Sequence, residues 1–309
     1  MHTSGQDLPI KISPTMKYSN EVEAALKAKR PVVALESTIL SHGLPRPRNL
    51  EVAIEVEQIV RDNGATPATI AMIHGEICVG LKTDQLDQIA NDTSVIKAST
   101  RDLAILAATK KSAATTVAAT AHVAVKAGIS VFATGGLGGV HMGDGFDESA
   151  DLHSLSMTPI IIVCAGVKSI LNVSATLERL ETLSVPVLGY KTNRFPGFFL
   201  TDSGYNLEYR VDSLKEISDI WYQRKNVHTI ESAIVIANPV MNQLDPVLHD
   251  KLLTKGIQAA EKQKISGKDV TPFLLEYFHR VSEGRTLDIN IEIIKANSKL
   301  AAEIAKALK

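Results

Sequence analysis

The sequence predicts an α/β fold: a three-layer αβα sandwich on a largely parallel or mixed central sheet, with a helical layer at the C-terminal end. Three observations carry this. β-branched runs alternate with helical patterns along most of the 309 residues, and such alternation builds a sheet covered on both faces. The run from Pro159 to Val167 is apolar almost throughout, as a strand buried on both faces must be. From Pro246 onward the pattern is nearly all helix.

Taken in order, Pro31 to Leu35 reads as a strand. Asn49 is placed to cap a helix whose stripe is Leu50, Ala53, Ile54, Ile59 and Val60, with Gly64 as its stop. Thr69 to Ile73 and Glu76 to Val79 pair as a hairpin about His74-Gly75. Ser94 to Lys97 is a short strand, and Ser112 to Lys126 an Ala-rich helix ending at Gly128. Ser130 to Thr134 is a strand that opens into Gly135-Gly136-Leu137-Gly138-Gly139. Ser174 to Leu183 is helical, Pro186 to Gly189 a strand, Ser213 to Arg224 a helix and Ala233 to Ala237 a strand. Pro272 sits at a helix start, and Thr286 to Leu308 is the last amphipathic run. Gly43 to Arg48, Val140 to Glu148 and Thr192 to Tyr205 read as loops. Residues 1–17 read as a loose segment and 18–309 as one αβα domain.

Composition narrows the partners. Net charge is −1, so no basic excess advertises nucleic acid, and aromatics at 5% argue against base-stacking platforms. A small molecule fits better. Cys78 and Cys164 lie in apolar runs, as buried free thiols do, which suits a reducing compartment. Met1 to Ser13 lacks the apolar core of a secretory signal. No stretch approaches the ~20 apolar residues of a membrane span, so a cytoplasmic location is expected.

Polar residues at strand ends are the candidates for chemistry. Lys168 follows the apolar run, where open α/β sheets bind ligands. An amine among apolar walls deprotonates more readily and can act as a nucleophile; the competing reading is a lysine that snorkels to the surface. Glu36 stands at the end of Val32 to Leu35. It is either an acid/base group with a raised pKa or a salt-bridged carboxylate. Lys97 is either a point charge for a phosphate or an edge lysine that blunts the sheet. The glycine-rich run between Thr134 and His141 fits neither a Rossmann nor a Walker loop; its amides could form an anion nest. Asp144, Asp147, Glu148 and Asp151 put four acids in eight residues. That suits a hard cation such as Mg²⁺ or Mn²⁺, or simply a solvated loop that caps the next helix.

These segments resemble the indigoidine synthase A-like family of pseudouridine-5′-phosphate glycosidases. The likeness lies in Ala34-Leu35-Glu36-Ser37-Thr38, His42-Gly43 with Pro45 and Pro47, Asn63 to Ala71, Ala114-Thr115-Thr116-Val117, Phe132 to His141, Ser149-Ala150-Asp151-Leu152, Cys164 to Leu171 and Thr271 to Leu275. It runs from about Pro31 to near the C-terminus, and the order and spacing match. The resemblance implies reversible cleavage of the C–C glycosidic bond of pseudouridine 5′-phosphate to uracil and ribose 5-phosphate. It implies Mn²⁺, with Mg²⁺ or another divalent ion possible, and a homotrimer. By motif, Lys168 corresponds to the covalent nucleophile and Glu36 to the proton donor. Lys97, Val117, Ser149, Ala150 and Asp151 correspond to substrate contacts, with Thr134, His141 and Asn290 as further ones, and Asp147 corresponds to the metal ligand.

The sequence departs from the family pattern at Thr100, Ala113, Met142, Glu148 and the segment Lys191 to Phe199. Three rivals follow: a lysine-dependent sugar-phosphate aldolase, a glycosidase for a related C-nucleotide, and a catalytically silent sugar-phosphate-binding homologue.

Overall fold

A computed structural model describes residues 15–142, 147–265 and 270–308. The N-terminal half runs β1 (Met16–Tyr18), α1 (Asn20–Lys27), β2 (Val32–Leu35), α2 (Arg48–Asp62), β3 (Thr66–Ile73), β4 (Glu76–Val79), α3 (Thr83–Asn91) and β5 (Ile96–Ala98). Then come α4 (Leu103–Ala108), β6 (Ala113–Thr115), α5 (Val117–Lys126), β7 (Val131–Ala133), α6 (Ala150–Ser156) and β8 (Ile161–Cys164). The remainder is α7 (Val173–Thr182), β9 (Val187–Tyr190), β10 (Tyr209–Val211), α8 (Leu214–Asn226), β11 (Ile234–Ala237), α9 (Pro246–Lys262), α10 (Val270–Val281) and α11 (Arg285–Ala307).

The strands form one sheet in the order β1-β4-β3-β2-β7-β8-β11-β9-β10, with β6 paired to β3 and β5 to β6. The β3–β4 and β3–β6 pairs are antiparallel and the others parallel, so the sheet is mixed. Its side chains alternate with the period of two that strands impose. Val33, Leu35, Ala133, Ile161 and Val163 pack toward α2, α8 and α11. Ala34, Phe132, Ile162 and Cys164 pack toward α1, α5, α6 and α7. The expected αβα sandwich is therefore present. A further cluster joins α9, α10 and the start of α11 to Phe195, Phe198 and Phe199, which is the C-terminal helical layer.

Several local expectations change. Asn49 does not cap α2; it lies in the first turn, fully buried, and its Nδ2 donates to Leu40 O at 2.7 Å and Ala90 O at 2.8 Å. The buried stripe consequently runs through Val52, Val56 and Val60, and Ile54 is 52% exposed. Residues Ser112 to Lys126 are not one helix. Ala113–Thr115 is strand β6, and Thr116 caps α5 by accepting from Ala119 N at 3.5 Å. Alanine has high helix propensity, and only the docking of this segment on β3 and β5 overrides it. Met16 and Lys17, placed in the loose segment by sequence, pair in parallel with Ile77 and Cys78.

The β2–β3–β6 seam shapes the site. β3 pairs with β2 through its first half and with β6 through its second. Where β2 leaves the sheet, Ser37 Oγ donates to Ile70 O at 2.6 Å and accepts from Thr115 N at 2.9 Å. Thr115 Oγ1 donates to the same carbonyl at 2.6 Å. Both hydroxyls are buried, so they satisfy groups that would otherwise lack partners. Ser37→Ala should cost about 1–3 kcal/mol, read as a lower urea midpoint with an unchanged slope. A midpoint equal to the wild type's would show that the seam does not need this hydroxyl.

Candidate active site

β2, β7 and β8 lie side by side and end level with one another: Leu35 is paired with Ala133, and Ala133 with Val163. The next residues along β2 and β7 are Glu36 and Thr134, both buried. The Thr134 hydroxyl donates a short hydrogen bond to Glu36 Oε1. Beyond β8 the chain turns at Gly166, with φ +82°, and a Cβ there would sit 2.2 Å from Pro196 O, so only glycine fits. Leu137 N donates to Gly166 O at 2.9 Å, and Lys168 N donates to Leu137 O at 3.1 Å. The lysine loop and the glycine-rich loop are thus stitched together by backbone. Lys168 is half-buried and lines one cavity with Glu36, Lys97 and Asn290.

The electrostatics shift Glu36 toward its protonated form. Burial pushes its carboxyl above the usual carboxylate value. Lys168, the Thr134 hydroxyl and Lys97 pull it back, and Asp151 pushes it further up. Lys97 reaches this point because β5 runs parallel to β6, with Lys97 paired to Ala114. Asn290 descends from α11, and Pro272 and Leu275 from α10 close the same cavity.

None of the other expected residues lines this cavity, though Asp151 is near enough to act on Glu36. Val117 is the first residue of α5, Ser149 caps α6, and Ala150 and Asp151 open it. Asp151 is buried and already committed: Oδ1 accepts from Ala118 N at 3.0 Å and Oδ2 from Gly138 N at 2.8 Å. It ties the start of α5 to the glycine loop. Gly138 is required there, since a Cβ would meet Ser149 Oγ at 2.2 Å.

The anion-nest expectation is corrected for much of this loop. The amides of Leu137, Gly138, Val140 and His141 donate to Gly166 O, Asp151 Oδ2, Thr176 Oγ1 and Asp147 O. Gly136, Gly138 and Gly139 serve close packing, and Gly135 and Gly136 line the cavity.

The acidic segment also divides. Glu148 forms a two-pronged pair with Arg179, at 2.8 and 3.0 Å. Asp147 Oδ2 lies 3.0 Å from His141 Nδ1, and its side chain is largely exposed. Asp144 lies outside the described residues. Among those described, no three His, Cys, Asp or Glu side chains converge on a metal position. One exposed carboxylate suits a hard divalent ion that keeps most of its waters, and does not suit a protein cage. Both cysteines are free and buried, and burial pushes the Cys164 thiol up to about 12.

Sequence reasoning gave no site role to His42 or Pro272, both of which line the cavity. It placed Phe198 only within Lys191 to Phe199, an altered segment that could line a base pocket, and named no residue of it. Phe198 N donates to Ala165 O at 3.0 Å, so that segment packs directly on the lysine loop. Its signal was the departure of Lys191 to Phe199 from the family pattern. A larger groove, about 490 Å³, lies between α7 and residues 205–209. It holds none of these groups.

A buried carboxyl group that shares a cavity with two lysines, at the carboxyl ends of parallel strands, defines an α/β protein with a small-ligand site where such sheets place one. The profile of indigoidine synthase A-like proteins matches residues 21–307, and the chain belongs to that family. A pseudouridine-5′-phosphate glycosidase of Salinispora tropica is 54% identical over 94% of this chain and 91% of its own length. One from Saccharopolyspora erythraea is 52% identical over 94% and 97%. The crystal structure of an indigoidine synthase A-like protein of Thermotoga maritima is 36% identical, with a TM-score of 0.86 over 94% of this chain and 95% of that one. The prealnumycin C-glycosynthase AlnA, solved with ribulose 5-phosphate, is 31% identical, with a TM-score of 0.88 over 96% and 97%.

The raised Glu36 pKa has a sign that can be tested. A folded carboxyl that holds its proton above the unfolded value stabilises the fold at low pH. That contribution is lost as pH climbs from the ordinary carboxylate range through the raised value. Glu36→Gln, neutral throughout, should gain steadily on the wild type in urea midpoint as pH rises above the ordinary carboxylate range. A midpoint difference that stays flat with pH would contradict a buried neutral acid.

Proposed function

We propose that this chain catalyses reversible cleavage of pseudouridine 5′-phosphate to uracil and ribose 5-phosphate, as a metal-dependent C-glycosidase of the lyase type. The observation that carries the reading is the single cavity holding Glu36, Lys97 and Lys168. The names of relatives at about half identity over most of the chain support it. So does a C-glycosynthase neighbour solved with a pentose phosphate.

The chemistry explains the residue types. A C–C glycosidic bond has no heteroatom leaving group to protonate, so paired carboxylates alone do not suffice. In this reading, protonated Glu36 gives its proton to the ribose ring oxygen as the C1′–O4′ bond breaks. The Lys168 amine adds to C1′ of the opened sugar and loses a proton. C5 of uracil then takes a proton while the C1′–C5 bond breaks, which leaves the sugar as an iminium on Lys168. Water hydrolyses that link and frees ribose 5-phosphate. Splitting one steep barrier this way is the benefit of covalent catalysis. Lys97 and Asn290 would hold the open chain in place.

Val117 and Ser149 to Asp151 would contact the substrate from the two helix starts, with Thr134 and His141 beside them. Asp147, with His141 next to it, would hold Mn²⁺ or Mg²⁺, which supplies Lewis-acid polarisation when bound. The resemblance extends the proposal to a homotrimer in the cytoplasm. Among the described residues, no helix is long and apolar enough to cross a membrane.

The test incubates uracil with ribose 5-phosphate, with and without Mn²⁺, and follows the product by mass spectrometry. Product should form with the metal and fall sharply after chelation. Borohydride with ribose 5-phosphate should leave a stable adduct on Lys168, and Lys168→Ala should lose on the order of 10⁴-fold or more in turnover. Near-native turnover by that variant ends the covalent mechanism. Binding without adduct or product favours the silent homologue.

A further inference from the structure

The acid is held through a second polar chain that begins on α11. Asn297 is 1% exposed. Its Nδ2 donates to Thr134 O at 2.8 Å and to Gly135 O at 3.3 Å. Its Oδ1 accepts from Asn238 Nδ2 at 2.9 Å. Asn238 follows β11, and its own N donates to Cys164 O, the end of β8, at 2.8 Å. The orientation of the Asn297 amide is forced. Carbonyls only accept, so its NH₂ must face Thr134 and Gly135, which leaves its oxygen for Asn238. Thr134 N donates to Val163 O at 3.0 Å. Both backbone groups of Thr134 are therefore fixed, one by the sheet and one by α11. Its hydroxyl is left to donate to Glu36.

From this network we infer that Asn297 is a positioning residue for the catalytic acid, acting by clamping the end of β7 so that the Thr134 hydroxyl stays on Glu36. Asn290 is about two turns away on the same helix, so α11 brings one asparagine to the cavity and a second to the acid's support. The role of the acid rests on the glycosidase reading above; the clamp on Glu36 does not. Facing Glu36 are Lys168 from the loop after β8, Lys97 from β5 and Asp151 from α6, and His42 lines the same cavity. A change at Asn297 alters none of those charges. It reaches Glu36 only through Thr134, whose hydroxyl favours the ionised carboxylate. A slack Thr134 therefore lets Glu36 keep its proton to higher pH.

The experiment has two readouts. The first is the Glu36 titration, followed by carboxyl carbon NMR in the wild type, Asn297→Ala, Thr134→Val and the double variant. The Glu36 midpoint should rise in each single variant, and by no more in the double variant than in Thr134→Val. The second is turnover of pseudouridine 5′-phosphate against pH. Asn297→Ala should lower kcat on the order of ten- to a hundredfold, with KM changed by less than about threefold. Its alkaline limb should move upward. Single-variant effects that multiply in the double variant, or a Glu36 midpoint equal to the wild type's, overturn the inference. If Asn297→Ala does not fold, Asn238→Ala removes the partner that orients Asn297 and should move the midpoint the same way by less; no movement is equally fatal. A wild type without turnover defeats the glycosidase reading, and the NMR arm still decides the clamp.

Discussion

The register among β2, β7 and β8 is the constraint on which the site depends. Leu35, Ala133 and Val163 stand level across three parallel strands, so the residues that follow emerge at one edge. A slip of one residue would exchange the two faces of a strand. Glu36 would then be carried away from Thr134, and Leu35 would leave the layer shared with α2 and α11. The hydrophobic alternation that excludes this slip is the same pattern that makes the core. The geometry of the candidate site is a by-product of packing the sheet correctly.

Burial then determines what these groups can do. Glu36 sits among apolar strand ends, with two lysines on one side and Asp151 on the other, and desolvation is the largest influence on it. The lysine charges alone would lower its pKa; the dry surroundings outweigh them and raise it. Asp151 tolerates burial because two backbone amides satisfy it. It keeps the glycine loop packed close to the lysine loop.

Much of this was legible in the sequence, and the gaps have physical causes. The αβα class, the strand before Lys168 and the hairpin about His74-Gly75 followed from periodicity and turn residues. Glu36 and Lys168 stood out because polar residues ending apolar runs are rare. β6 was missed because alanine carries little strand preference, and only pairing with β3 and β5 makes that segment extended. Asn49 matched a capping signature, yet its side chain is used 41 residues away, on Ala90 O. Asn297 was invisible for a related reason. An asparagine inside an amphipathic helix gives no periodic signal, and its meaning lies in carbonyls 163 and 162 residues distant along the chain. The glycine-rich loop misled because glycine needed for close packing reads the same as glycine needed for anion binding.

α11 covers one face of the sheet, carries Asn290 and supports Thr134, yet it follows every strand in the chain. During synthesis the acid and both lysines leave the ribosome before the helix that organises them. Until it arrives, the face formed by Val33, Ala133 and Val163 has lost a large part of its cover. Such an apolar surface is a natural substrate for chaperones. A nascent chain therefore holds Glu36 and Lys168 in an unfinished pocket until α11 has followed them.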